Sequence, residues 1–144
     1  MDVFQLEVYT PYRLFYKNEV EYALFEIVDG EIGILPGHSP FTAPIATSVL
    51  HIKEKKGERK LALISDGIAE VKKHKTVILA DSANWPEEIN IEWARMAKDE
   101  AEKIIEGNNF KLDTEKAKKK LKRAQTRIKL YRQMQDLLSK AGHA

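Results

Sequence analysis

Histidine is the residue type in this chain that could most directly supply acid–base or nucleophilic chemistry, because the chain contains no cysteine. Nucleophilic catalysis requires a nucleophile beside a base that a third group orients. His51, His74 and His143 stand in no Gly-x-Ser-x-Gly or His-Glu-x-x-His pattern. We therefore assign these three to structural or surface roles, and interpret His38 as either a partner contact or a turn hydrogen bond.

Metal and nucleotide chemistry also lack a recognisable motif. A metal site would need closely spaced histidine, cysteine or carboxylate ligands, and the sequence contains no such cluster. A Walker-type glycine loop is missing as well. We therefore predict a chain that is not an enzyme and has no catalytic residue, no metal and no cofactor.

The densest charge lies near the C-terminal end. Residues 111–132 hold ten basic and two acidic residues, whereas residues 85–110 hold three basic and seven acidic residues. An acidic segment followed by a basic one predicts two elements that meet, or one that binds an acidic partner. Three interpretations are open: a solvated helix face, a surface for an acidic protein, or a nucleic-acid contact. The last is disfavoured because no aromatic residues alternate with the basic ones, which are Lys116, Lys118, Lys119, Lys120, Lys122, Arg123, Arg127, Lys129 and Arg132.

A stiff segment precedes the middle of the chain. Residues 29–40 combine three glycines and two prolines with a short apolar run. The order Leu35-Pro36-Gly37-His38 is the type II turn pattern, which needs φ > 0 at its third residue. We interpret so much rigidity as a presented surface, with an ordinary strand connection as the alternative.

Short strands are the elements that would carry this segment. Residues 1–84 contain about ten short apolar stretches separated by turns every 8–12 residues, which is typical of an antiparallel β-sandwich. In the first stretch Phe4, Leu6 and Val8 share one face. We place turns at Asn18 and at Asp66-Gly67, the latter as a hairpin.

Two helices are predicted for residues 85–144. Asn90 is the expected N-cap of the first, Gly107-Asn108-Asn109 its end, and Asp113 or Thr114 the N-cap of the second. The apolar positions repeat at helical spacing and predict an antiparallel hairpin. They are Trp93, Ala97, Ala101 and Ile104, flanked by Ala94 and Ile105, on the first helix, and Ala117, Leu121, Ala124, Ile128 and Tyr131, extended by Met134, Leu137 and Leu138, on the second.

Alanine occupies several positions of this predicted seam. Alanine permits close approach of two helices but buries little apolar area, so the packing gains little free energy. The spacing therefore permits a mobile hairpin that could exchange its packing for another partner. The sequence shows no signal peptide and no apolar run of roughly 18 residues that could span a bilayer.

Taken together, these segments resemble the epsilon subunit of F-type ATP synthases. The resemblance rests on Glu-x-Gly-Ile-Leu-Pro-Gly-His-x-Pro at 31–40, on Leu63 to Val71, on Thr76 to Ala83, and on the acidic and basic helices that follow. It implies a β-sandwich, residues 1–84, that docks on the gamma subunit and the c-ring. It also implies a mobile two-helix regulatory domain, residues 85–144.

The resemblance implies a non-catalytic rotor subunit that couples the c-ring to gamma during proton- or sodium-driven ATP synthesis, with membrane contact only through the complex. Its place would be the cytoplasmic face of a bacterial plasma membrane. The docking loop would comprise Glu31, Gly33, Ile34, Leu35, Pro36, Gly37, His38 and Pro40. The C-terminal helices would inhibit ATP hydrolysis by contacting the alpha and beta subunits through Lys119, Lys120, Lys122, Arg123 and Arg127. A stand-alone module that holds nucleic acid or an acidic protein is the alternative.

Some bacterial members of that family also bind ATP between the two helices, through Ile-Asp-x-x-Arg-Ala and Arg-Ala-x-x-Arg. This chain matches the second motif with Arg123 and Arg127. In the first it has Asn90 for the acid and Trp93 for the arginine. Because an acid and a guanidinium are both lost, we predict that ATP binding is absent or much weakened.

Overall fold

The computed structural model describes residues 2–107 and 111–141, except for the side chains of 111, 112, 134 and 137–141. It divides into two compact units between Asn84 and Trp85. The first unit contains β1 (Phe4–Tyr9), β2 (Leu14–Ile27), β3 (Gly30–Ile34), β4 (Phe41–Ile45), β5 (Ser48–Glu54), β6 (Arg59–Val71) and β7 (Lys75–Asn84). The second contains a 3₁₀ turn (Pro86–Glu88), α1 (Ile91–Gly107) and α2 (Lys111–Ala141).

The predicted architecture, a β-sandwich followed by two helices, is confirmed. The strands are ordered β1-β7-β6-β4-β2-β3, with β5 pairing with β2 and β6 and a further β1–β2 pairing. All pairings are antiparallel except that of β1 with β7, which is parallel. Phe4, Leu6 and Val8 are buried together, as their alternation predicted.

The predicted turn at Asn18 is wrong, because β2 runs through it. The first half of β2 pairs with β1, and its second half pairs with β5 and β3. Asn18 Nδ2 donates to Glu54 Oε2 at 3.1 Å, and Tyr16 Oη donates to the same oxygen at 2.5 Å. Burial alone would raise the pKa of Glu54, but these hydrogen bonds and the positive charge of Lys60 together outweigh it and lower the pKa. Asn18 thus lies within the continuous strand β2, where its side chain donates a hydrogen bond to Glu54, and it does not end a strand.

The predicted hairpin at Asp66-Gly67 is also wrong. Strand β6 continues through both residues and stays in register with β7 on either side, Ser65 opposite Ser82 and Gly67 opposite Ala80. On its other edge β6 pairs with β5 up to Ile64 and with β4 from Gly67 onward. Asp66, with φ of 29°, makes a local kink where β6 changes neighbour. Because β2 and β6 each join two of the predicted stretches, the described residues contain seven strands instead of about ten.

Gly67 is required at this kink for a steric reason. A Cβ built on it would lie 1.9 Å from the carbonyl oxygen of Leu79 and 2.9 Å from Cα of Ala80. Both atoms belong to the backbone of β7, so the clash with a new side chain cannot be relieved by rotating a neighbouring side chain. The glycine therefore permits the close approach of two central strands.

In the second unit, Asn90 caps α1 as predicted: Asn90 Oδ1 accepts a hydrogen bond from the Trp93 amide at 3.1 Å. The second helix, α2, begins at Lys111, ahead of the predicted N-caps Asp113 and Thr114. Asp113 instead lies in the first turn, where its carboxylate interacts favourably with the helix dipole. Asn108, Asn109 and His143 and the side chains of Met134, Leu137 and Leu138 lie outside the described residues.

The buried seam of the hairpin is narrower than predicted. Four alanines form its centre, Ala94 and Ala101 from α1 and Ala117 and Ala124 from α2, each 2% exposed or less. Ile128 is also buried, whereas Leu121 and Tyr131 are half-buried. Trp93 and Ile104, predicted in the seam, are 61% and 37% exposed, because the contact is centred on Ala101, which was predicted in the seam, and on Ala94, which was predicted to flank it. Leu130, which the pattern did not single out, is fully buried.

Candidate functional site

The predicted loop is held rigidly at the end of β3. His38 N donates to the Leu35 carbonyl at 3.2 Å, and Gly37 has φ of +80°, so the type II turn is confirmed. The Gly37 amide donates to the Lys73 carbonyl at 3.0 Å, which ties the tip to the β6–β7 connection. His38 Nδ1 lies 2.8 Å from the Ser39 carbonyl, to which it donates when that nitrogen is protonated, and its ring packs against Phe41. The turn hydrogen bond proposed for His38 is therefore present.

The predicted docking residues do not all face solvent. Glu31, Gly33, Leu35, Gly37 and Pro40 are exposed, and Pro36 and His38 are half-buried. Ile34 is 1% exposed, so its side chain anchors the loop in the sandwich core and cannot contact a partner directly. This position was misassigned because the pattern of the loop does not reveal the face to which each side chain points.

Three carboxylates gather beside the loop, at the β2–β3 hairpin. Glu26 and Glu31 lie directly opposite each other across the two strands, and Asp29 lies between them in the turn. Among the described residues none of the three forms an ion pair. Like charges at opposite positions of a strand pair destabilise it. A cationic partner would relieve this repulsion, and the exposed Val28 and Leu35 would give it apolar contact.

A second surface of the sandwich is apolar. Ile68 and Leu79 face each other across β6 and β7 and are 49% and 54% exposed. The exposed Pro44 of β4 lies opposite Ile68, so the three side chains form a strip across adjacent strands. Contiguous exposed apolar residues mark interaction surfaces. Sequence reasoning missed this apolar strip (Pro44, Ile68 and Leu79), because only the strand register brings it together.

In the second unit a groove of about 340 Å³ runs between α1 and α2. Lys120, Arg123 and Arg127, three of the five predicted basic contact residues, line it. Lys119 and Lys122 are exposed and lie outside it. We call it the Trp93 groove; its remaining lining residues are Trp93, Ala97, Glu100, Ala101 and Ile104.

Electrostatics in the Trp93 groove favour an anionic partner. Burial lowers the pKa of Arg127, and the neighbouring positive charge of Arg123 lowers it further. Lys120 and Arg127 form no ion pair within the described part of the chain, and Glu100 is the only acidic residue of the lining. A ligand that carries negative charge would therefore be attracted on entry.

The positions that correspond to the two nucleotide-binding motifs of the family meet at the Trp93 groove, but only the second motif keeps its residues. Arg123 and Arg127 point to the same cavity as Trp93, which stands where an arginine would complete the motif. Arg95 does not substitute for that arginine, because it lines a separate groove of about 480 Å³ with Lys129 and Arg132. The Asn90 side chain is used by the helix cap.

Neither a metal-binding cluster nor a helix long and apolar enough to span a membrane occurs among residues 2–107 and 111–141. The surfaces described above are the candidates for function: an acidic, stiff loop, an apolar strip and a basic helical groove. All three suit the binding of other macromolecules.

Comparison with known proteins gives a consistent result over both units. The model of the ATP synthase delta/epsilon chain β-sandwich domain matches residues 3–86, and that of the long α-helix domain of the same chain matches residues 87–132. The chain is 42% identical over 130 residues to the ATP synthase epsilon chain of Caldicellulosiruptor bescii, covering 90% of this chain and 94% of that one. It is 43% identical over 135 residues to the epsilon chain of Caldanaerobacter subterraneus subsp. tengcongensis, covering 93% and 97%.

Solved structures share the fold. A chain in the Euglena gracilis mitochondrial ATP synthase, in a structure of OSCP, F1 and c-ring, superposes with a TM-score of 0.78 at 20% identity, covering 88% of this chain and 79% of that one. A chain of the Tetrahymena thermophila mitochondrial ATP synthase central stalk and c-ring gives a TM-score of 0.59 at 14% identity, covering 89% and 96%.

Proposed function

The chain belongs to the ATP synthase delta/epsilon family, and on that premise we propose that it is the non-catalytic epsilon subunit of a rotary ATP synthase. It couples the c-ring to the gamma subunit in the central stalk and restrains ATP hydrolysis through its helices. The observation that carries the proposal is the match of two successive family models, one to each compact unit of the chain.

The sandwich docks through two surfaces. The stiff loop and the three carboxylates beside it face the c-ring and suit a basic segment there, because Glu26 and Glu31 repel each other until a cation approaches. The apolar strip around Ile68 and Leu79 packs on gamma. A loop that is hydrogen-bonded at its tip, through the Gly37 amide, transmits torque without yielding.

The helices regulate by exchanging partners. Their seam is built on four alanines, whose small buried area makes the hairpin only modestly more stable than an alternative packing. When the helices extend along gamma, the basic residues Lys119, Lys120, Lys122, Arg123 and Arg127 meet an acidic stretch of the alpha and beta subunits. The subunit lies at the cytoplasmic face of a bacterial plasma membrane and contacts the membrane only through the complex. The coupling ion, proton or sodium, is decided in other subunits.

Ending the chain at Asn84 tests the regulatory assignment. We expect the truncated subunit to assemble, because the first unit keeps its strands and both docking surfaces, and we expect the ATP hydrolysis rate of the complex to rise several-fold. The measurement is steady-state ATPase activity of reconstituted complexes that contain the full or the truncated chain. An unchanged hydrolysis rate in a fully assembled complex would contradict inhibition by the helices.

A pair of matched variants locates the inhibitory contact in the same assay. Arg123→Ala with Arg127→Ala should relieve inhibition, whereas Lys129→Ala with Arg132→Ala removes the same charge from the other groove and should not. Added salt should relieve inhibition in the same way as the first pair of substitutions, since salt screens the attraction between exposed charges. If the subunit that carries Arg123→Ala and Arg127→Ala still inhibits ATP hydrolysis fully at physiological salt, the basic contact is not the inhibitory one.

ATP binding by the isolated chain is expected to be absent at micromolar concentrations. Trp93 supplies no guanidinium to the phosphates, and Asn90 supplies no carboxylate. Titration calorimetry should therefore give no saturable heat, whereas Asn90→Asp with Trp93→Arg should gain binding because it restores the first motif. Tight micromolar binding by the unchanged chain would show that the substitutions do not matter.

A further inference from the structure

The Trp93 groove has an apolar floor and a cationic wall. Its floor comprises Trp93, Ala97, Ala101 and Ile104 of α1, and its wall comprises Lys120, Arg123 and Arg127 of α2. Trp93 is 61% exposed, and Met96 beside it on α1 is 68% exposed, so large apolar area remains uncovered with the two helices packed together. Such area on a helix is unusual unless a partner covers it.

The dimensions and charges of the Trp93 groove suit one kind of occupant. From Trp93 to Ile104 the floor follows α1 for about 16 Å, or three helical turns. An elongated groove between two helices, with anchors at helical spacing, matches the way in which an amphipathic helix packs its apolar face. Because three cations and one carboxylate among the described residues line the groove, the complementary helix carries acidic residues along one side.

We propose that the closed hairpin is a docking site for an acidic amphipathic helix of a protein partner, which sets a bulky apolar side chain against Trp93 and its carboxylates opposite Lys120, Arg123 and Arg127. This goes beyond the proposed inhibition, which uses extended helices: here the hairpin binds while it is folded. Arg127 is the central contact, since it is partly buried beside Arg123 and forms no ion pair within the described part of the chain.

Trp93 reports directly on occupancy. The chain has two tryptophans, so Trp85→Phe in the full-length protein leaves Trp93 as the only one. The probe is a synthetic peptide of about 16 residues that forms roughly four helical turns, with leucines on one face and glutamates flanking them. We expect a saturable blue shift of Trp93 emission as the indole is buried.

Two controls separate the groove from nonspecific attraction. A peptide with glutamine in place of each glutamate should bind about tenfold more weakly, and Arg123→Ala with Arg127→Ala should cause a similar loss. Lys129→Ala with Arg132→Ala should leave the affinity unchanged, because those residues line the other groove. Circular dichroism checks that each variant retains its helices.

Three outcomes would overturn the proposal. The first is equal binding of the two peptides, and the second is peptide binding that leaves Trp93 emission unchanged. The third is displacement of the peptide by ATP or inorganic phosphate at equal concentration, which would make the groove a small-anion site. None of these would affect the central-stalk assignment, which is tested on the assembled complex.

Discussion

Replacing Gly67 with alanine is expected to lower the free energy of unfolding of the chain by roughly 3 kcal/mol or more. The new Cβ would lie 1.9 Å from the Leu79 carbonyl oxygen, so strands β6 and β7 must separate where β6 changes neighbour. Urea unfolding of the full-length chain, followed by circular dichroism in the β-sheet region, measures the loss.

Gly57 supplies the matched control within the same unit. It has φ of +84° and open space around the position of a Cβ, so Gly57→Ala carries only the conformational cost of about 1 kcal/mol. If Gly67→Ala destabilises the chain no more than Gly57→Ala does, the close approach of the two strands is not a constraint. A Gly67→Val variant should fail to fold, because it adds two further carbons at the same point.

The second large effect concerns the apolar strip. We expect Ile68→Asp combined with Leu79→Asp to weaken binding of the chain to the gamma subunit by roughly a hundredfold, since two unpaired carboxylates would be buried at the contact. The fold should survive, because both side chains are about half exposed in the free chain. Calorimetric titration with purified gamma subunit measures the affinity.

Tyr12→Asp is the control for this surface. Tyr12 is 91% exposed and lies outside the strip, so an aspartate introduced there should leave the affinity for gamma unchanged. Similar unfolding midpoints for all variants would show that the loss is local to the interface. Undiminished binding of the double variant would mean that gamma docks on another face of the sandwich.

Local patterns were sufficient to predict the fold class and several details. The alternation of Phe4, Leu6 and Val8, the Pro36-Gly37 turn and the Asn90 cap are decided by neighbouring residues, and the structure confirms all three. Asn18 and Asp66-Gly67 were misread for one shared reason. Turn-forming residues also permit bends within long strands, and whether a chain reverses or continues depends on which strands pair with it.

By itself, the sequence determined that a strand-rich region precedes two helices, the stiffness of the loop, the charge contrast between the two helices and the resemblance to the epsilon family. These properties depend on residue type and short-range spacing. Tertiary structure alone decided that Ile34 is buried, that Glu26 faces Glu31, that Ile68 meets Leu79, and that Trp93 shares a groove with Arg123 and Arg127. Strand register and helix rotation control these contacts, and both are set by packing between residues that are distant in the chain.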